Sequence, residues 1–310
     1  MQASVVEPVP VFPRRRRRFK AGMLFLLPAF FVLAIFFLGP AVYAVYVGFT
    51  NMALTGTGAA NPSWVGLDNL HQILDDHQFF DSLRISLTYM VGSALIGQAV
   101  LGMLLALLMK NRSPLFKTVL GGIIVACWVI PDVVAGYLWF AFLHADMLGL
   151  GTGSGLLNSI VGVFGIPQHA WLQDYPMASI IVANTWRGTA FSMLLYASAL
   201  EGIAPELLEA ASIDGASLWG RVRLIILPLL KGTIATDLLL ITLATLSDFT
   251  LVMVLTGGGP GFDTQLLTIY MYQHAFKFYE LGYGTAIALL IILAGALLSL
   301  VYIRVLRVEV

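Results

Sequence analysis

Charge is scarce in this chain. Of its 310 residues, 17 are Lys or Arg and 17 are Asp or Glu, so only 11% are charged, against roughly 25% in soluble globular domains. So few charges cannot clothe a core in which 59% of the residues are hydrophobic. A cytosolic enzyme and a disordered chain are excluded, and much of the surface must face lipid. Cysteine is nearly missing as well: Cys127 stands alone in an apolar run, which excludes an internal disulfide, a secreted disulfide scaffold and a thiolate metal cluster. There is no GxxxxGK[ST] phosphate cradle, so this chain does not itself hydrolyse ATP. No paired nucleophile and base is present, so no catalytic residue is assigned. His71, His77, His144, His169 and His274 show neither the spacing nor the carboxylate neighbours of a metal site. They are expected to be solvated loop histidines, and no metal ligand is assigned.

What the chain has in quantity is long apolar runs. A membrane-crossing helix needs about 20 mostly apolar residues, and six segments qualify: 21–49, 85–109, 118–143, 177–200, 224–256 and 283–303. The runs are continuous, unlike the alternating ten-residue strands of an outer-membrane barrel. The first is too long for the apolar region of a signal peptide and lacks a clear cleavage site, so it is expected to be retained. Basic residues orient the bundle. Arg14 to Arg18, Lys20, Lys110, Arg112, Lys117, Arg221, Arg223, Lys231, Arg304 and Arg307 all fall on one side of a six-span arrangement, which places both termini in the cytoplasm. The arginine run beside the first span reads as an anchor on acidic membrane lipid rather than a nucleic-acid patch. The expected organisation is a basic cytoplasmic tail (1–20), a transmembrane domain (21–304) and a short cytoplasmic tail (305–310). Of the external loops, 144–176 contains a weakly apolar stretch (155–166) expected to lie flat at the interface.

Charges inside spans are costly, roughly 2.5–3.5 kcal/mol each on insertion scales, and they normally face the bundle interior. Asp132, Arg187, Asp237 and Asp248 qualify. Asp132 follows Pro131, a natural break in the third span, and Arg187 adjoins Gly188. Three of these charges, on three spans, can meet in one cavity. A solute pathway and a salt bridge that locks the helices both fit this pattern.

The inner loop over 203–223 carries more pattern than a connector needs. Pro205 suits a first helical turn, with Glu206 and Glu209 near its positive end. Leu208, Ala211 and Ile213 suggest a small apolar face. Asp214-Gly215 signals a tight corner, with Asp214 as a cap for a helix restarting at Ala216. Small residues at Ala210, Ala211 and Ala216 permit close approach by a partner, although an ordinary surface hairpin has the same features.

The run Glu209-Ala210-Ala211-Ser212-Ile213-Asp214-Gly215-Ala216, followed by Ile225 and Pro228, resembles the EAA loop of ABC-importer permeases. It departs where Val222 replaces a Phe and Gly232 a second Pro. Gly66-Leu-Asp-Asn69 resembles the GLxN element of carbohydrate-uptake permeases, and Leu255-Thr-Gly-Gly-Gly-Pro260 with Thr264 their LTGGP element. The stretch from Tyr272 to Ala286 is similar to their approach to the last span.

The resemblance implies an all-α, six-span type I permease of the maltose and glycerol-phosphate kind, multi-pass in the cytoplasmic (inner) membrane. Its implied partners are a second permease subunit in a heterodimer, two copies of a cytoplasmic ABC ATPase, and an extracytoplasmic solute-binding protein or lipoprotein. ATP and Mg would reside on the ATPase, with no cofactor on this chain. Glu206, Glu209, Ala210, Ala211, Asp214, Gly215 and Ala216 would couple to the ATPase. Trp128, Asp132, Asn184, Arg187, Gly188, Thr245 and Asp248 would line the solute pathway. The implied cargo is a sugar or sugar derivative, with glycerol 3-phosphate or a glycerophosphodiester as the alternative, Arg187 then meeting the phosphate. A stand-alone ion-coupled transporter is the rival outside this family, and it would show inverted repeats, of which the sequence has no convincing trace.

Overall fold

The computed structural model describes residues 16–146 and 153–306. The side chains of the basic tail (1–20), residues 147–152 of the loop between the third and fourth spans, and Arg307 lie outside the described residues. Among those described, the chain is helical almost throughout, with one isolated bridge between Thr50 and Trp64.

Three helices are by themselves long and apolar enough to cross a membrane: Phe25–Gly48, His77–Met109 and Leu281–Arg304. The count reaches six when three sharply bent pairs are each taken as one span. The breaks have local causes. Between Pro114–Val129 and Asp132–Leu143 the axis turns by 103°. Ile130 (ψ 128°) and Pro131 (ψ 143°) are extended there, as expected for a proline and the residue it crowds. The expected third span is therefore two helices meeting at a corner. The expected fifth span (224–256) also divides. Leu218–Leu229 and Lys231–Leu246 meet at 73°, just after Pro228, and a separate short helix, Thr250–Leu255, follows residues 247–249. Hydropathy sees one apolar run in each case because it is blind to backbone direction.

The second span starts earlier than expected, at His77. Asp76 caps it by accepting the Gln78 backbone N–H at 2.8 Å. A polar first turn extends this helix beyond the apolar run that hydropathy detects. The stretch 155–166 forms the helix Leu156–Val163. It is fastened by buried Asn158, which donates to the carbonyls of His144 and His169 and accepts from Trp171 Nε1.

The second and fourth spans approach most closely through small residues, the usual device where lipid offers no hydrophobic drive for helix association. A Cβ added to Gly102 would lie 2.5 Å from Ser192 Cβ and 2.9 Å from the Met193 backbone N. Toward the basic side, Ala106, Met193, Tyr196, Leu200 and Ile226 form one buried cluster. Asp237 belongs here: Tyr196 Oη donates to its Oδ2 at 2.5 Å. It is a helix-to-helix tie, not a member of the polar cavity described below. The first span, in contrast, makes almost no use of the chain's own core, and none of its most apolar window is buried.

Candidate functional site

Two helix breaks and one straight helix bring distant residues to a common centre. Pro131 sets Asp132 at the start of its helix; Arg187 comes from the middle of Pro176–Glu201; Asp248 sits in the break after Lys231–Leu246. Arg187 Nη2 and Asp132 Oδ1 are 2.9 Å apart. Around this pair lies a cavity of about 450 Å³, and all seven pathway residues named from the sequence line it: Trp128, Asp132, Asn184, Arg187, Gly188, Thr245 and Asp248. Its size is within the roughly 300–1,000 Å³ range of small-molecule sites.

Each polar member is held by a neighbour. Tyr89 Oη donates to Asp248 Oδ2 at 2.5 Å, and Thr268 Oγ1 donates to the Asp248 backbone carbonyl at 2.6 Å. Asn184 Nδ2 donates to Ser93 Oγ at 2.9 Å and to Thr245 Oγ1 at 3.4 Å. Gln98 Nε2 donates to the Asn184 carbonyl at 3.3 Å. Arg187 Nε is buried and has no hydrogen-bond partner among the described residues. Trp128 and Phe191 present rings with centroids 5.9 Å apart. The lining thus combines a pair of aromatic rings with amides, hydroxyls and carboxylates.

Sequence reasoning missed Gln98, Phe191, Ser247, Phe249 and Thr250 in the lining, and Tyr89 and Ser93 behind it. Tyr89, Ser93 and Gln98 are polar or hydroxylated residues spaced about one helical turn apart on an apolar span, a signal that was available. Of residues 247–250 only Asp248 was legible, through its charge; Ser247, Phe249 and Thr250 line the cavity only through the helix break.

The elbow at 203–223 is well defined. Pro205–Ile213 ends in three bonds: Asp214 N–H to the Ala210 carbonyl, Gly215 N–H to Ser212 and Ala216 N–H to Ala211. With Gly215 at φ +82°, this is a Schellman C-terminus. Two sequence expectations need correction here. Asp214 closes the first helix rather than starting the second, which Ser217 caps by accepting the Gly220 N–H at 3.1 Å. Leu208 does pack inward, but Ile213 is 87% exposed and so does not share its face. Glu206, Glu209, Ala210, Asp214 and Gly215 are exposed, with Ala211 and Ala216 half-buried. Arg221 Nη1 donates to Ser212 Oγ at 2.7 Å and clips the two short helices together.

The motif residues at 66–69 and 255–264 supply structural ties. Asn69 Nδ2 donates to the Gly48 carbonyl at 2.9 Å and to Thr50 at 3.0 Å. Thr264 Oγ1 donates to the Gly259 carbonyl at 2.7 Å. Nearby, Asp76 accepts hydrogen bonds from the hydroxyls of Tyr270 and Tyr283. Partial burial opposes ionisation of Asp76, but these hydroxyls and the Gln78 N–H outweigh it and hold the carboxyl below its ordinary value. His274 is another correction. It has a carboxylate neighbour, Glu280, 2.7 Å from its Nδ1, and it lies between the rings of Tyr270 and Tyr283. No group of three potential metal ligands exists among the described residues.

A bundle of broken apolar helices around a mid-bundle polar cavity, with a rigid elbow projecting from one end, defines a multi-pass membrane transport component. Residues 98–308 match the family described as the inner membrane component of binding-protein-dependent transport systems, and this chain belongs to that family. It is a non-catalytic permease subunit of the inner membrane.

Two relatives illustrate the likeness. The trehalose/maltose transport system permease protein MalF of Thermococcus litoralis is 30% identical over 294 residues, covering 93% of this chain and 94% of its own. The trehalose transport system permease protein SugA of Mycobacterium tuberculosis is 30% identical over 289 residues, covering 92% and 88%. Among solved structures, a bacterial ABC transporter importing the acidic polysaccharide alginate matches with a TM-score of 0.77 at 22% identity, covering 94% of this chain and 96% of its own. A second structure of an alginate transporter, in complex with its pentasaccharide-bound periplasmic protein, matches with a TM-score of 0.78 at 21% identity, covering 95% and 98%. These likenesses give the type I importer-permease fold.

Proposed function

We propose that this chain is the membrane-spanning subunit of an ATP-driven importer that moves a sugar or sugar derivative into the cell by alternating access. The observation that carries the reading is the cavity. Residues from the third, fourth and fifth spans meet in one polar chamber with an aromatic wall, a lining suited to a sugar ring whose CH face stacks while its hydroxyls hydrogen-bond. The sugar names of the relatives at 30% identity support the same class of cargo.

The elbow at 203–223 is the coupling element. Its exposed apolar residues, Ile213 at 87% and Trp219 at 69%, are costly in water and suit a protein partner. The Schellman end fixes the corner, so a push on the Glu206–Gly215 surface reaches Leu218–Leu229 and the fifth span as a rigid movement. Two states differing in their contacts with the partner satisfy what a driven two-state transition requires. The partners are a second permease, two copies of a cytoplasmic ABC ATPase that carries the ATP and Mg, and an external solute-binding protein or lipoprotein. A glycerol-phosphate cargo is less well supported, because Arg187, its natural phosphate ligand, is already engaged by Asp132.

The test uses the reconstituted complex and its solute-stimulated ATPase. A Cβ at Gly215 meets nothing within 4 Å, so only its positive φ restricts substitution. Gly215→Asn should retain stimulation, since Asn tolerates this conformation, whereas Gly215→Val should abolish it with the six spans still inserted. Unaltered uptake by Gly215→Val would remove the coupling assignment.

A further inference from the structure

We infer that the cavity selects by charge, admitting uncharged or amino-substituted saccharides and rejecting anionic ones. This rests on the reading of the cavity as the solute site and names the class of solute that site takes. The charged groups lining it are Asp132, Asp248 and Arg187. Among the described residues Arg187 is the sole cation in that lining, and Asp132 already holds it at 2.9 Å. Whichever protonation state Asp248 holds, the sum over the three groups is not positive. A phosphate, sulfonate or uronate would shed its hydration shell without meeting a free counter-charge, the situation that penalises a buried ion most heavily.

Every other polar contact in the lining suits a neutral oxygen. Asn184, Gln98, Thr245, Ser247 and Thr250 offer amides and hydroxyls. Arg187 Nε, buried and without a partner among the described residues, needs one acceptor, and a sugar hydroxyl supplies it without adding charge. The guanidinium therefore acts as a fixed donor whose charge Asp132 cancels. An ammonium on an amino sugar is tolerated for the converse reason, with two carboxylates in reach of the chamber.

The experiment measures equilibrium binding to the intact complex of this permease, its partner permease and the ATPases, with no binding protein present, so that only the membrane chamber selects. The probes are trehalose, 6-amino-6-deoxytrehalose and trehalose 6-phosphate, with maltose and maltose 6′-phosphate as a second framework. The neutral and amino probes should bind about tenfold or more tightly than the phosphates, which corresponds to about 1.4 kcal/mol. Asp132→Asn frees Arg187 and should narrow or reverse that order, while Asp132→Glu keeps the charge and should preserve it. If the wild-type complex binds the phosphates as well as the neutral sugars, the charge rule is overturned and the sugar chamber stands. If Trp128→Ala and Asn184→Ala leave binding of every probe unchanged, the chamber is not the solute site and the inference falls with it.

Discussion

At the scale of single residues, the polar side chains that tie the spans together are instructive because their partners are identifiable. Asp76 is a clear case outside the spans. It joins the start of the second span to Tyr270 and to Tyr283 of the last, and its carboxyl is held below the ordinary 3.8. A lowered folded-state value means the native state favours the carboxylate, so this tie contributes fully above the unfolded pKa. The contribution is lost as the pH falls through the folded value. Thermal melts of the detergent-purified protein against Asp76→Asn should therefore differ by a constant amount above about pH 5 and converge below about pH 4. A gap that persists undiminished at pH 3 would show that the charge of Asp76 contributes nothing. The Asp132–Arg187 pair follows similar logic inside the bundle. A meeting of Asp132, Arg187 and Asp248 from three spans was readable as an option, but the residues left a lock and a pathway equally open. Geometry shows the same pair serving as a tie and lining a chamber.

At the scale of elements, glycine decides which helices touch. Gly102 packs against Ser192 and the backbone of Met193, whereas Gly122 faces nothing within 4 Å. Gly102→Leu should force the second and fourth spans apart and cost about 1–3 kcal/mol, seen as a marked loss of thermal stability. Gly122→Leu should be near neutral. Equal melting temperatures for the two variants would refute the close-approach account. The elements also show where hydropathy misleads. Runs at 118–143 and 224–256 read as single spans because their average composition is apolar enough despite the few charges they hold. Pro131 and the break at 247–249 nevertheless redirect the backbone, and redirection brings Asp132 and residues 247–250 to the cavity. The elbow was legible to its corner at Gly215, yet the cap fell to Ser217 and Ile213 turned outward. Such details depend on φ/ψ choices that neighbouring residues share.

At the scale of the molecule, the chain is incomplete as a packed object. Its first span has none of its most apolar window buried, with Phe25 at 84% and Phe36 at 76% exposure. The elbow adds exposed Ile213, Leu218 and Trp219 at the other extreme. Patches of this kind mark surfaces that meet lipid or another protein. Purification in mild detergent should recover the chain with a second permease of similar size and an ABC ATPase. Deletion of residues 205–219 should release the ATPase while sparing the second permease. Recovery of this chain as a lone, fully active transporter would contradict the assembly proposed here.

The amino-acid order alone determined that this protein lives in lipid, how many apolar segments it has, and that an elbow of EAA type separates the fourth and fifth of them. Those properties follow from local composition and contiguous pattern, which need no third dimension. Only the folded structure decided that two of those segments are broken, that Tyr89, Ser93 and Gln98 brace the chamber, and that Asp237 stays out of it while Asp248 lines it. Such relationships join residues far apart in the chain, and they depend on where each helix bends and which neighbour fills the space left by a missing side chain.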